Sequence, residues 1–370
     1  MRVLGFMTGT SLDAVDMAVL ETDGESIGAF GPAGERKLNP ATRAIIEKAT
    51  GAALAWPWNA PTPEVFETAA RAIADEHLSA ARAFMAEHGL MANDLDIIGV
   101  HGQTVLHEPP APARVVGRTA QLIDAQHLAD GLGLPVIHDF RTADVAAGGQ
   151  GAPLAPIYHQ ALVRWSKLEL PVAVLNLGGV GNVTLVGVGD QLEAFDTGPA
   201  NGMIDLFVQA RTGARFDEGG ALAAAGRVDE TIVARYLAHP YFAARGPKSL
   251  DRFDFSLEPV AGLSLENGAA TLTAFAAQTV ALGIDACSVA PRRLVVCGGG
   301  RHNPVLMAAI TDRLSIPVQS AEAVGWRGDS IEAEAFAYLA ARTAHGLPIS
   351  FPTTTGVREA MAGGAIVRPA

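Results

Sequence analysis

Short apolar runs, glycine-rich turns and longer helical stretches alternate along the chain. The first run, Arg2 to Met7, leads into the turn Thr8-Gly9-Thr10-Ser11-Leu12-Asp13, and a second run follows from Asp16 to Thr22. Two apolar runs around a Gly/Thr/Ser turn predict a β-hairpin. Residues 62–90 read as a helix, with Thr62 as N-cap and Gly89 as the stop. Leu95 to Val100 reads as a strand entering His101-Gly102-Gln103-Thr104, and residues 119–132 read as helix. A short strand at Pro135-Val136-Ile137 leads to Asp139-Phe140-Arg141, and Gly148-Gly149-Gln150-Gly151-Ala152-Pro153 breaks the pattern. A domain boundary is expected near residue 140.

The second half restarts in the same way. Val172 to Leu177 is an apolar run, Gly178-Gly179-Val180-Gly181-Asn182 a tight turn, and Val183 to Val188 a return strand. Leu192 to Phe195 then enters Asp196-Thr197-Gly198-Pro199-Ala200-Asn201, with a helix from Gly202. Strand–glycine turn–strand therefore occurs twice, as a structural pseudo-repeat whose letters barely match. A helix from about Ala269 to Val289 is apolar on most faces, which predicts burial. Arg293 to Cys297 is a strand ahead of Gly298-Gly299-Gly300 and a helix from Asn303, and a last helix covers Ser330 to Thr343. Strands alternating with helices predict an α/β fold.

Composition narrows the partners. Apolar residues make up 49% and charged residues 18% of the 370, enough for a sizeable core and against disorder. With 27 Lys plus Arg against 39 Asp plus Glu, the net charge is −12, which disfavours nucleic acid and anionic membranes as partners. The lysines are only Lys37, Lys48, Lys167 and Lys248, against 40 glycines. Phosphate would have to be held by backbone N–H groups, arginine or a metal ion. Cys287 and Cys297 form no CxxC pair, which argues against a disulfide scaffold or thiolate zinc site. The first residues lack a signal-peptide pattern, so a cytoplasmic location is expected.

Several turns have the chemistry of a ligand site, each with a plainer alternative. Gly9 to Asp13 offers backbone donors, two hydroxyls and a carboxylate for a hydrated Mg²⁺, or is an ordinary hairpin turn. Asp196 follows an apolar strand, where a general base or an Asx-turn both fit. Asp-Thr-Gly occurs once, whereas aspartic-protease chemistry needs two carboxylates sharing a proton. Gly298 to Gly300 permits close approach of a flat ligand or phosphate, or is a helix-entry loop. No G-x-G-x-x-G or P-loop pattern is present. His101 follows a strand, and Glu332 and Glu334 lie where the first turn of a helix favours carboxylates anyway.

In combination these turns resemble the sugar kinase/Hsp70/actin superfamily and, within it, the anhydro-N-acetylmuramic acid kinase family. The residues that carry the resemblance are Gly5 to Asp13 with Asp16, His101 to Thr104, Asp139 to Arg141, Gly148 to Leu154, Leu175 to Asn182, Asp196 to Asn201, Cys297 to Asn303 and Glu332 to Ala337. They span nearly the whole chain. The chain departs from the family pattern at Ala14, at Ile123, and at Lys248-Ser249-Leu250-Asp251-Arg252 in place of Lys-Ser-Thr-Gly-Arg.

The resemblance implies two ribonuclease-H-like domains with an ATP/substrate cleft between them: residues 1–138 plus about 347–370, and residues 139–346. It implies a kinase that opens 1,6-anhydro-N-acetylmuramic acid with water and phosphorylates O6, a step of cell-wall sugar recycling. The alternatives are a kinase of another anhydrosugar such as levoglucosan, and a non-catalytic sugar sensor, which an intact Asp196 speaks against. Asp196 would be the catalytic base. Gly9, Thr10, Ser11, Asp13, Asp16, Gly178, Gly179, Gly181, Asn182, Gly298, Gly299, Gly300 and Asn303 would line ATP, with Asp13 reaching Mg²⁺ through water. His101, Asp139, Arg141 and Glu332 would meet the sugar. A homodimer is implied as well.

Overall fold

The computed structural model describes residues 1–9, 12–111, 114–244, 246–250 and 254–370. In chain order it begins with β1 (Arg2–Met7), β2 (Ala14–Thr22), β3 (Ile27–Lys37), α1 (Pro40–Leu54), α2 (Val65–Glu87), β4 (Ile97–Val100), β5 (Gln103–Glu108), β6 (Arg118–Leu122), α3 (Ala125–Leu132), β7 (Val136–His138), α4 (Thr142–Ala146) and α5 (Pro156–Trp165). It continues with β8 (Val172–Leu177), β9 (Val180–Val186), β10 (Leu192–Pro199), α6 (Asn201–Thr212), α7 (Ala221–Ala225), α8 (Glu230–Leu237), α9 (Leu265–Ala286), β11 (Arg293–Cys297), α10 (Pro304–Thr311), β12 (Val318–Ser320), α11 (Ile331–Ala344) and β13 (Ala365–Val367).

The chain folds into two units, Met1–Ala161 with Ser330–Ala370, and Leu162–Asp329. The breaks expected from the sequence fall at 138/139 and near 346 instead. Helix α11 groups with the first unit because it packs on β1, β2 and β4.

The first unit holds a six-stranded sheet in the order β13-β7-β4-β1-β2-β3. β1 is antiparallel to β2 and parallel to β4, and β4 is parallel to β7. Leu4, Phe6, Ile98 and Val100 face a core shared with α1, α2 and α3. On the opposite face, Gly5 and Gly99 lie side by side across the β1–β4 pair. A Cβ at either would run into the α11 backbone, at Ala333 and Phe336 respectively. Glycine here lets the helix lie almost flush on the sheet.

The second unit holds a five-stranded sheet in the order β10-β9-β8-β11-β12. β9 is antiparallel to β8 and β10, and β11 is parallel to β8 and β12. Leaving β13 aside, both sheets have the order 3-2-1-4-5 with strand 2 reversed, the ribonuclease-H-like arrangement. The expected hairpin pseudo-repeat is thus β1–β2 and β8–β9. Ala173, Leu175, Leu177, Val183 and Phe195 pack on α9 and α10. α9 is long and apolar enough to span a membrane by composition, but most of it is buried in this unit.

Several local expectations shift. Residues 119–132 are a strand followed by a helix, because Leu122 pairs with Gln103 and the Asp124 side chain caps α3 at His127 N. The helix expected from Thr62 begins at Val65 after Glu64, without a side-chain cap. β10 continues through Asp196 to Pro199, beyond Phe195 where its apolar run stops.

Candidate functional site

In the second unit the expected ligand turns converge on one end of the sheet. Asn176 pairs with Asn182, and Asn182 with Asp196, so three polar residues form a row across β8, β9 and β10. Cys297 of β11 extends the row beside Asn176. By strand alternation this row faces away from the Leu175/Val183/Phe195 core. The β8–β9 turn is tied to the start of α6: Asn201 N donates to Gly178 O at 3.0 Å, and Ala200 N and Gly202 N donate to Gly179 O at 3.1 Å each. Thr197 Oγ1 donates to Gly181 O at 3.1 Å. A Cβ on Gly202 would meet the Gly179 backbone, so the two turns need glycine at 202 to lie this close.

The glycine triplet joins the same end. Gly298 has φ 77° and packs on Asn176 and Leu177, while Gly300 packs on Leu177 and Asn201. Buried Arg301 braces this loop: Nη1 donates to Gly298 O at 3.0 Å, and Nη2 lies 2.8 Å from both Glu322 and Asp329. Asn303 caps α10, its Oδ1 accepting from Val305 N and Leu306 N at 3.1 Å each. The structure therefore brings Gly178, Gly179, Gly181, Asn182, Asp196 and Gly298 to Gly300 together, and gives Asn303 a capping role behind them.

Asp196 is 9% exposed, and its Oδ2 accepts from Leu250 N at 2.8 Å. Its backbone N–H donates to Lys248 O at 3.0 Å, and its carbonyl accepts from Tyr241 Oη at 2.6 Å. Burial lowers the Lys248 pKa, and the Asp196 carboxylate opposes that shift. Burial raises the Tyr241 pKa, reinforced by Asp196 and Asp254, so its hydroxyl stays a donor. On α6, burial pushes Asp205 up to about 6 against the pull of Arg215.

In the first unit a second cluster forms at the end of β4. His101 is buried, and its Nδ1–H donates to Gly102 O at 2.8 Å. Arg141 Nε donates to His101 Nε2 at 2.9 Å, and Arg141 Nη1 to Gly151 O at 2.6 Å. An imidazole accepting from a guanidinium must be neutral; burial and the Arg141 charge hold the His101 pKa well below its usual value. Asp139 has φ 56° and accepts from Thr142 Oγ1 at 2.5 Å. Glu332 is exposed in the first turn of α11. Glu334, read as a helix-dipole residue, is fully buried and accepts from Tyr158 Oη at 2.5 Å.

Asp13 is exposed and its Oδ1 accepts from Ala14 N at 3.1 Å, while Asp16 lies on β2 opposite Met7 and Glu35. Gly9 O accepts from Leu12 N at 3.2 Å. Thr10 and Ser11, named from the sequence, lie outside the described residues.

Sequence reasoning missed His77, Asp144, Tyr241 and the role of Lys248. His77 Nδ1–H donates to Ile73 O at 2.8 Å, leaving Nε2 to accept from Thr8 Oγ1 at 3.3 Å, just ahead of the Gly9 turn. Asp144 is 1% exposed, and its Oδ1 accepts from Gly151 N at 2.6 Å, so Asp144 and Arg141 hold the N–H and the C=O of the same residue. Only Asp144 carried a local signal, standing three residues after Arg141 and four before the glycine-rich segment.

The model of one protein family, described as anhydro-N-acetylmuramic acid kinase, matches residues 1–369. A relative of that name from Caulobacter vibrioides is 64% identical over 367 residues, covering 99% of each chain. Another from Phenylobacterium zucineum is 63% identical over 369 residues, covering 100% of each. Among solved structures, component A of (R)-2-hydroxyglutaryl-CoA dehydratase from Acidaminococcus fermentans overlaps 92% of this chain and 99% of its own, at 13% identity and a TM-score of 0.46. With two sheets of the expected strand order, glycine turns gathered around Asp196, and a match over nearly its full length, the chain belongs to the anhydro-N-acetylmuramic acid kinase family.

Proposed function

We propose that this protein is an ATP-dependent kinase of 1,6-anhydro-N-acetylmuramic acid that couples ring opening to phosphoryl transfer. Water attacks C1 and gives its proton to Asp196, the C1–O6 bond breaks, and O6 takes the γ-phosphoryl group. The products are N-acetylmuramic acid 6-phosphate, ADP and a proton. The observation that carries this reading is the carboxylate of Asp196, held by the Leu250 amide in a row with Asn176 and Asn182 beside the glycine turns. Phosphoryl transfer asks chiefly for positioning and charge neutralisation, which backbone donors supply without lysine. Gly178, Gly179, Gly181 and Asn182, with Gly9, Thr10 and Ser11, line the phosphates. Gly298 to Gly300 approach the nucleoside, with Asn303 holding their loop. His101, Asp139, Arg141 and Glu332 meet the sugar.

Mg²⁺ would arrive with the nucleotide and neutralise phosphate charge. Among the described residues no group of three or more His, Cys, Asp or Glu could cage a metal. That fits an ion held mostly by phosphate oxygens and water, with Asp13 (beside Asp16) reaching it through water. A cytoplasmic homodimer completes the proposal, and light scattering of the purified protein tests the dimer.

The deciding experiment is ADP release with anhydro-N-acetylmuramic acid and with levoglucosan, run partly in H₂¹⁸O. Turnover with the amino sugar and ¹⁸O at C1 of the product are expected. No ADP from the amino sugar, or no label at C1, would overturn the mechanism.

A further inference from the structure

Asp196 sits at an irregular point of the second sheet. Its pairing with β9 shifts register between Asp196 and Gly198, and a bulge of this kind re-aims a side chain while disrupting the ladder that would hold it. One short stretch, residues 241–250, meets the backbone on both sides and the carboxylate as well. Lys248 O accepts from Asp196 N at 3.0 Å, Tyr241 Oη donates to Asp196 O at 2.6 Å, and Leu250 N donates to Asp196 Oδ2 at 2.8 Å. The stretch is also fastened to itself. Lys248 Nζ donates to Tyr241 O at 2.9 Å and lies 4.2 Å from the Tyr241 ring centroid, with the Phe195 ring 6.0 Å away. Neighbouring Phe242 anchors it in an aromatic cluster, 5.6 Å from the Phe255 ring and 5.9 Å from that of Phe275.

We infer that Tyr241 and Lys248 are positioning residues for Asp196, Tyr241 by fixing the peptide that follows it and Lys248 by holding the tyrosine in place. The tyrosine hydroxyl supplies a donor at the bulge, and rotation of that peptide would swing the carboxylate away from its water. The Lys248 ammonium pins Tyr241 from two sides, through its carbonyl and over its ring face. Such a clamp needs a cation that both donates and stacks, which arginine also provides. This inference rests on the reading of Asp196 as the base.

The test is steady-state kinetics with ATP and anhydro-N-acetylmuramic acid for Tyr241→Phe, Lys248→Met, Lys248→Arg, Asp196→Asn and the double variant Tyr241→Phe/Asp196→Asn. Tyr241→Phe and Lys248→Met are expected to lower kcat roughly 10- to 100-fold with KM for both substrates within about 3-fold, the mark of a lost transition-state contribution. Lys248→Arg recovers most of that loss. Because both changes act through one carboxylate, Tyr241→Phe has no further effect on the residual rate of Asp196→Asn. Tyr241→Phe is nearly isosteric, so matching far-UV circular dichroism keeps the comparison meaningful. Parental kcat in both single variants, a KM rise at unchanged kcat, or a full additional loss in the double variant overturns the inference. If Asp196→Asn is inactive while Tyr241→Phe and Lys248→Met are normal, only this inference fails. An active Asp196→Asn removes the proposed mechanism too.

Discussion

Replacing His77 with glutamine should flatten the acid sensitivity of this protein by a calculable amount. His77 is fully buried in α2, and burial lowers its pKa from 6.5 to about 4. Its Nδ1–H is committed to Ile73 O, and a neutral ring is needed to accept from Thr8. Between pH 6.5 and 4 the unfolded chain therefore binds a proton that the folded chain refuses. The stability this group contributes is complete above the unfolded value and is lost as pH falls through the window. Each pH unit of it removes about 1.4 kcal/mol. From pH 7 to pH 5, only the part below 6.5 counts, so His77 accounts for a loss of about 2 kcal/mol. Glutamine keeps an acceptor for Thr8 but does not titrate. Urea unfolding followed by tryptophan fluorescence, at pH 7 and pH 5, gives the comparison. The fixed cost of the substitution cancels, because only the change between the two pH values is compared. The parent should lose about 2 kcal/mol more than His77→Gln over this range. Equal losses would refute the argument.

Other outcomes follow from the same geometry. Asp196→Asn should retain ATP binding, measured with a fluorescent analogue, and lose turnover by several orders of magnitude, as removal of a general base does; near-normal kcat contradicts the assignment. Gly99→Ala forces a methyl into the Phe336 backbone and should destabilise the first unit by about 1–3 kcal/mol in urea unfolding, with an unchanged midpoint refuting the close packing. Asp144→Ala frees the Gly151 amide and should weaken apparent sugar affinity roughly 5- to 150-fold, matching about 1–3 kcal/mol for a lost buried charge-assisted bond, with KM for ATP little changed. A wild-type sugar KM would separate Asp144 from the Arg141 contact.

Much of this architecture was legible because its signals are local. The two hairpins were marked by glycine turns between apolar runs, and Asp196 by its place at the end of one. What escaped is what tertiary pairing decides. Residues 119–132 carry apolar positions compatible with a helix, yet β5 recruits Leu122 into a strand. β3, with Gly31, Pro32 and Gly34, has poor strand composition and is tolerated because it lies at the sheet edge. Thr62 resembled a helix cap, but the helix starts at Val65, beyond its reach. Tyr241 and Lys248 lie far from Asp196 in an irregular stretch, so no periodicity links them. His77 looked like any residue of a long helix, since its meaning comes from Thr8, far away along the chain.

The sheet of the first unit is finished only by the last part of the chain. α11 covers the glycine face of β1 and β4, and β13 pairs antiparallel with β7 at the edge. On the ribosome, residues 162–329 form a contiguous unit that is fully synthesised while the older N-terminal strands still lack their covering helix and edge strand. The order of completion is thus inverted relative to the order of synthesis. A chain stopped before residue 330 would carry an intact second unit beside an open sheet, a ready substrate for chaperones and proteases.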